Sequence, residues 1–171
     1  MTWTSETAPY TVPPADGQAD AWTQATDGRG GTRLLAAGVV DAPDDVRAAL
    51  NLGDSEQVVC RVRLVLLDGE PIEQAVSYWP ARWAAGTALA ELAPVKGGTI
   101  RLVAELGWST ASWADDVTAE VADGENIPDA PVGAALLVIC RTLVDASGAP
   151  FEYDVMHGWD GHGQRYTGEE G

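Results

Sequence analysis

The stretch from Gln57 to Pro80, Q-V-V-C-R-V-R-L-V-L-L-D-G-E-P-I-E-Q-A-V-S-Y-W-P, constrains the fold more than any other part of the chain. It reads as a β-hairpin: an arm rich in Val, Leu and Cys, a turn at Leu67-Asp68-Gly69-Glu70, and a second arm from Pro71 to Trp79. Three charges interrupt these apolar arms, Arg61, Arg63 and Glu73. A charge inside a strand is costly unless it is paired, solvated or used to hold something, so the three together point to a polar pocket. Register decides whether they meet. A two-residue Asp68-Gly69 loop pairs Leu67 with Glu70 and sends Arg63 and Glu73 to opposite faces. A three-residue loop with a left-handed Gly69 and a bulge puts Arg63 across from Glu73 and Arg61 across from Ala75. Pairing of opposite charges favours the second. One face then carries Arg61, Arg63, Val65, Glu73, Ala75 and Ser77. The plain alternative is an Arg–Glu pair on a solvated face.

The remaining pattern suits one domain. The chain has 171 residues, 46% of them hydrophobic, enough for a sizeable core. Residues 1–31 lack periodicity and read as an N-terminal arm or linker, docked by Trp22. A single domain over 32–167 and a short tail, 168–171, follow. Strands are expected at 32–41, 109–121, 133–144 and 150–159. Helices are expected from the Asp41–Asp45 segment through Leu50, over Ala81 to Leu92, and over Thr99 to Leu106. Cys60 and Cys140 lie in apolar runs and read as reduced core thiols. No run of 18 apolar residues offers a membrane span, and the first residues have neither the basic region nor the apolar core of a signal peptide. A cytoplasmic protein with no membrane partner is expected. The net charge of −16, with a single lysine and no basic run, argues against a direct nucleic-acid partner.

Two segments share a logic, R-V-R-L-V-L-L-D-G-E-P-I-E and I-C-R-T-L-V-D-A-S-G-A-P-F-E: an arginine-bearing strand, an Asp/Gly turn, a proline, then a glutamate. With the intervening S-Y-W-P, A-E-L-G and D-D-V-T-A-E, this order resembles the UTRA domain, the effector-binding domain of GntR-type transcription regulators of the HutC group, which is similar in fold to chorismate pyruvate-lyase. The likeness covers about residues 20–167. It implies an α+β fold, an antiparallel (mixed) sheet of about six strands flanked by short helices, with a ligand pocket on the sheet. It also implies that Arg61, Arg63, Glu73, Ser77 and Glu152 line that pocket. The chain departs from the family pattern in three places. It starts almost where the winged-helix DNA-binding domain of such regulators would end. The helix before the most hydrophobic strand is reduced to Asp123–Asp129. The segment His157 to Gly163 is unusually rich in glycine.

Several constellations bear on chemistry. Arg61 with Arg63 can clamp a carboxylate or phosphate. Glu73 and Glu152 can accept hydrogen bonds from ligand hydroxyls, and either is a candidate general base if burial raises its pKa; the bland role for Glu152 is to orient Arg141. Trp79, Trp83, Trp108, Trp113 and Trp159 can wall an apolar pocket or simply pack a core. His157 and His162, with Asp154 and Asp160, match no trusted metal spacing, so no metal and no cofactor are expected, and the histidines read as surface or strand-end residues. Asp115 and Asp116 are adjacent and point to opposite faces of a strand. The leading reading is a stand-alone UTRA-like protein that binds a small acidic or hydroxylated metabolite, does not itself bind DNA, and acts as a homodimer or with a separate regulator. The alternatives are a cofactor-free lyase or cyclase of bacterial specialised metabolism using the same pocket, and a truncated effector domain of a GntR/HutC-type regulator.

Overall fold

A computed structural model describes residues 3–6, 11–13, 15 and 21–166. Its centre is a six-stranded antiparallel sheet of β2 (Gly30–Asp41), β3 (Gln57–Leu67), β4 (Glu70–Pro80), β5 (Ser112–Val121), β6 (Ala135–Val144) and β7 (Pro150–Gly158), in the order β2-β3-β4-β7-β6-β5. Two further strands, β1 (Trp3–Glu6) and β8 (His162–Arg165), pair in parallel as a separate ribbon. The helices are short: α1 (Ala21–Ala25), α2 (Asp44–Ala49), α3 (Ala81–Ala84) and α4 (Thr99–Glu105). None is long enough to be stable without packing, so the sheet holds them rather than the reverse.

The two sheet faces have different covers. One face, here the tyrosine face, carries the stacked Tyr78 and Tyr153. Val46 and Leu50 pack there on Val58 and Tyr153, and Ile127 and Ala130 pack on Leu64, Leu136 and Trp159. Cys60 and Cys140 belong to this side as free thiols. The other, the arginine face, is capped at one end by Trp79, Leu89, Val103, Leu143 and Phe151. At the other end Trp22 packs on Leu67 and Ile72 and donates its indole N–H to the Leu66 carbonyl at 3.2 Å. Each fully buried aliphatic side chain in these clusters contributes about 1.5–3 kcal/mol.

The structure corrects four sequence expectations. The central hairpin has the two-residue loop: Leu67 pairs with Glu70, with Asp68 at φ 53° and Gly69 at φ 87°. Two consecutive left-handed residues match the strand twist, and Asp-Gly supplies them at little cost. A bulge at Ile72 then resets the register, so that Val65 faces Glu73, Arg63 faces Ala75 and Arg61 faces Ser77. The Ile72 carbonyl accepts a hydrogen bond from the Trp159 N–H at 3.0 Å, which ties the bulge to the end of β7. The charges therefore share a face, but Arg63 and Glu73 sit in neighbouring rows rather than opposite each other.

The long helix expected from Ala81 stops at Ala84 and resumes only as a 3-10 turn, Ala88–Ala90. Thr87 breaks it: its hydroxyl donates to the Ala84 carbonyl at 2.8 Å and accepts from the Leu89 N–H at 3.2 Å. The Asp123–Asp129 segment contains no helix; Asp123 accepts hydrogen bonds from the N–H groups of Glu125 and Asn126, each at 2.8 Å, and closes a turn instead. Finally, the proposed arm contributes β1 and α1. Tyr10 and Pro14, and the tail 168–171, lie outside the described residues.

Candidate functional site

The register places a polar row straight across the arginine face. From β2 to β5 it reads Ala37, Arg61, Ser77, Asp154, Arg141, Asp115. Arg61 and Arg141 are each 4% exposed, Ser77 is fully buried and Asp154 is 8% exposed. Buried polar groups need partners, and each member of the row has one. The Ser77 hydroxyl donates to the Asp154 carboxylate. Arg141 grips Asp115 with two parallel hydrogen bonds, Nε to Oδ1 at 2.7 Å and a terminal nitrogen to Oδ2 at 2.9 Å. Glu152 therefore does not orient Arg141; Asp115, directly opposite on the edge strand, has that place.

Arg61 has no carboxylate beside it. Its guanidinium turns out of the sheet and donates to four backbone carbonyls: Ala88 at 3.1 Å, Leu89 at 2.9 Å, Glu91 at 2.8 Å and Ala93 at 2.8 Å. This cation acts as a cap for the segment after the 3-10 turn, so its donors point into protein. Arg63, one row away and half-buried, differs. Among the described residues no hydrogen bond or ion pair holds it, yet its charge acts on Glu73, Glu152 and Asp154.

Three carboxyls on the arginine face lie within the electrostatic reach of Arg63. Glu152 lies one row from Asp154, opposite Leu143, and is 7% exposed. Burial, and then the nearby Asp154 charge, push its pKa up to about 8. The Trp79 indole N–H lies close enough to oppose this, although its geometry falls short of a hydrogen bond. Burial also raises Asp154, against the pull of Arg63 and the Ser77 hydroxyl. Glu73 is raised by burial too, with His162, Arg63 and Arg141 opposing. A cavity of about 20 Å³ adjoins Glu152, between α4, Trp108, Phe151 and Thr11; that is room for about one water.

The structure thus brings together Arg63, Glu73, Ser77 and Glu152 on one face and shows Arg61 in the same row but committed to carbonyls. Sequence reasoning did not single out Asp115, Arg141, Asp154 or His162 as site residues. The shared logic of the two arginine-bearing segments matches Arg141 with Arg63, whereas the register sets Arg141 in one row with Arg61. His162 is not a surface residue: its side chain is 2% exposed and Nδ1 lies 3.4 Å from Glu73 Oε2. The tryptophans do not form one wall. Trp79, Trp83 and Trp108 cap the arginine face, Trp159 packs on the opposite one, and Trp113 is 45% exposed on the edge.

Comparison with known proteins agrees with this architecture. The solved ligand-binding domain of a protein described as a GntR-family transcriptional regulator from Bordetella bronchiseptica is 23% identical, with TM-score 0.66, covering 84% of this chain and 90% of that one. The effector domain of PhnF from Mycobacterium smegmatis is 14% identical, with TM-score 0.70, over 86% and 95% of the two chains. A transcriptional regulator from Streptomyces coelicolor is 27% identical, with TM-score 0.62, over 76% and 86%. No curated protein matches the chain in sequence. The family model described as UTRA domain matches residues 27–158, most of the chain, and the protein belongs to the UTRA domain family.

Proposed function

We propose that this chain binds a small metabolite bearing an oxyanion and hydroxyl groups on the arginine face, and that it does not itself contact DNA. The observation that carries this reading is Arg63: a half-buried guanidinium that no described residue holds, on the face that carries Glu73 and the buried Glu152 and Asp154. A guanidinium fork matches a carboxylate or phosphate in two parallel hydrogen bonds. In this reading Glu73, one row from Arg63, and Glu152, two rows away on the other side, accept from ligand hydroxyls, and Ser77 with Asp154 occupies the row between Arg63 and Glu152. Arg61 supports the site by holding the 88–93 segment in place. The net charge of −16 disfavours a phosphate-backbone partner.

One observation favours a second reading. A carboxyl that keeps its proton up to about pH 8 can donate it to a substrate, which suits a cofactor-free lyase or cyclase. Native mass spectrometry of protein purified without added ligand tests both. A bound compound, lost in Arg63→Ala, supports binding; a compound returned in altered form from a supplied precursor supports catalysis. A site that carries nothing, and that shows no saturable binding of sulfate at Arg63, overturns both.

A further inference from the structure

One segment over the site lies outside the span that matches the family. The match ends at Gly158; the chain then turns through Asp160, φ 56°, and Gly161, φ 80°, into β8. The turn is closed by the His162 N–H donating to the Trp159 carbonyl at 3.2 Å. Beyond it, two side chains reach the arginine face. His162 meets Glu73 on β4. Tyr166 donates its hydroxyl hydrogen to Asp115 Oδ2 on β5 at 3.1 Å. Its anchors therefore stand on either side of β7 and β6 in the sheet order.

Gly158 makes room for this contact. It sits on the arginine face opposite Glu73 and Leu137. A Cβ built there would meet the His162 ring at 2.5 Å from Nδ1 and 2.6 Å from Cγ. The imidazole therefore fills the space that a side chain on β7 would otherwise take. Glu73 lies within the electrostatic reach of both His162 and Arg63, so the three make a cluster in which one anionic group stands beside two cation-forming ones.

Resting on the ligand-binding reading above, we infer that residues 159–166 form a strap that closes this site, and that His162 is a specificity-determining residue which shares the ligand's oxyanion with Arg63. Glu73 holds the strap in register in the absence of ligand. A ligand with an oxyanion bridges Arg63 and His162 and tightens the strap; a neutral polyol of the same size lacks the group that makes the bridge.

The test uses the full chain, amide hydrogen exchange at residues 162–165 with β3 and β4 amides as internal reference, and sulfate against chloride at matched ionic strength as the probe. Replacing His162→Ala, or displacing the ring with Gly158→Ala, is expected to speed β8 exchange by about tenfold while the β3 and β4 amides keep their protection. His162→Gln, which keeps much of the volume, serves if the alanine variant does not fold. In the unaltered chain, sulfate is expected to shift the Arg63 Nε resonance saturably and to slow β8 exchange about threefold; His162→Gln loses the second response and weakens the first. If sulfate binds at Arg63 and β8 exchange does not change, the strap is overturned while the ligand site stands. If sulfate does not bind at Arg63, both are overturned.

Discussion

The β3–β4 and β6–β7 hairpins present the same residue type to the same row and use it in opposite ways. Arg61 and Arg141 are equally buried. Arg141 finds a carboxylate directly across the ladder in Asp115 and forms a fork-to-fork pair. Arg61 finds Ala37 there and leaves the sheet to collect four carbonyls. The comparison teaches that a buried arginine is assigned by its neighbours across the sheet, not by its own strand. Arg63, two residues from Arg61, has no hydrogen-bonding or ion-pair partner among the described residues for the same reason: Leu34 and Ala75 flank it.

The largest expected effect breaks the β6–β7 half. Arg141→Met removes the guanidinium from the Asp115 carboxylate, whose side chain is 3% exposed, and should cost about 3–5 kcal/mol in denaturant unfolding. Adding Asp115→Asn should recover much of that loss; no recovery would mean the pair is not what Arg141 supplies. On the other half, Arg61→Ala uncaps the 88–93 segment and should cost about 3 kcal/mol, with hydrogen exchange rising first in that segment. A loss spread evenly over the sheet would contradict the capping role.

Glu152 gives a pH-dependent contrast. Its folded pKa, about 8, lies above its value in the unfolded chain, so the unfolded state loses its proton first as pH rises. Its contribution is fully present below about pH 4.5 and is lost progressively up to about pH 8. Glu152→Gln should remove that decline and stabilise the protein at pH 8.5 by on the order of a few kcal/mol. Equal pH slopes in the two proteins would place the titration elsewhere. The smallest effect on stability belongs to Arg63: Arg63→Ala should change it by less than about 1 kcal/mol while abolishing saturable sulfate binding. A large loss of stability would mean that Arg63 is a structural residue like Arg61.

Which residues share the arginine face was largely legible before the structure. Alternation along β3 and β4 put Arg61, Arg63, Glu73 and Ser77 on one face, and that grouping survives because the two-residue turn and the bulge at Ile72 offset each other. The bulge itself was hidden, since it depends on the Trp159 N–H reaching the Ile72 carbonyl from β7. Asp115 looked like half of an inert adjacent pair, because only the β5–β6 register sets it opposite Arg141. His162 looked like a strand-end residue because nothing local shows that Gly158 opens a space for its ring.

By itself the sequence determined the six strands of the main sheet, their two-sided character, the position of the central turn and the family. These depend on period-two alternation and on turn residues whose backbone preferences act locally. The tertiary structure alone decided which arginine is capped and which is paired, how high burial raises Glu152, and that the segment after Gly158 brings His162 to Glu73 and Tyr166 to Asp115. Each of these depends on groups distant in sequence and on the loss of water around them, and neither distance across the sheet nor dielectric is written in the spacing of residues along a strand.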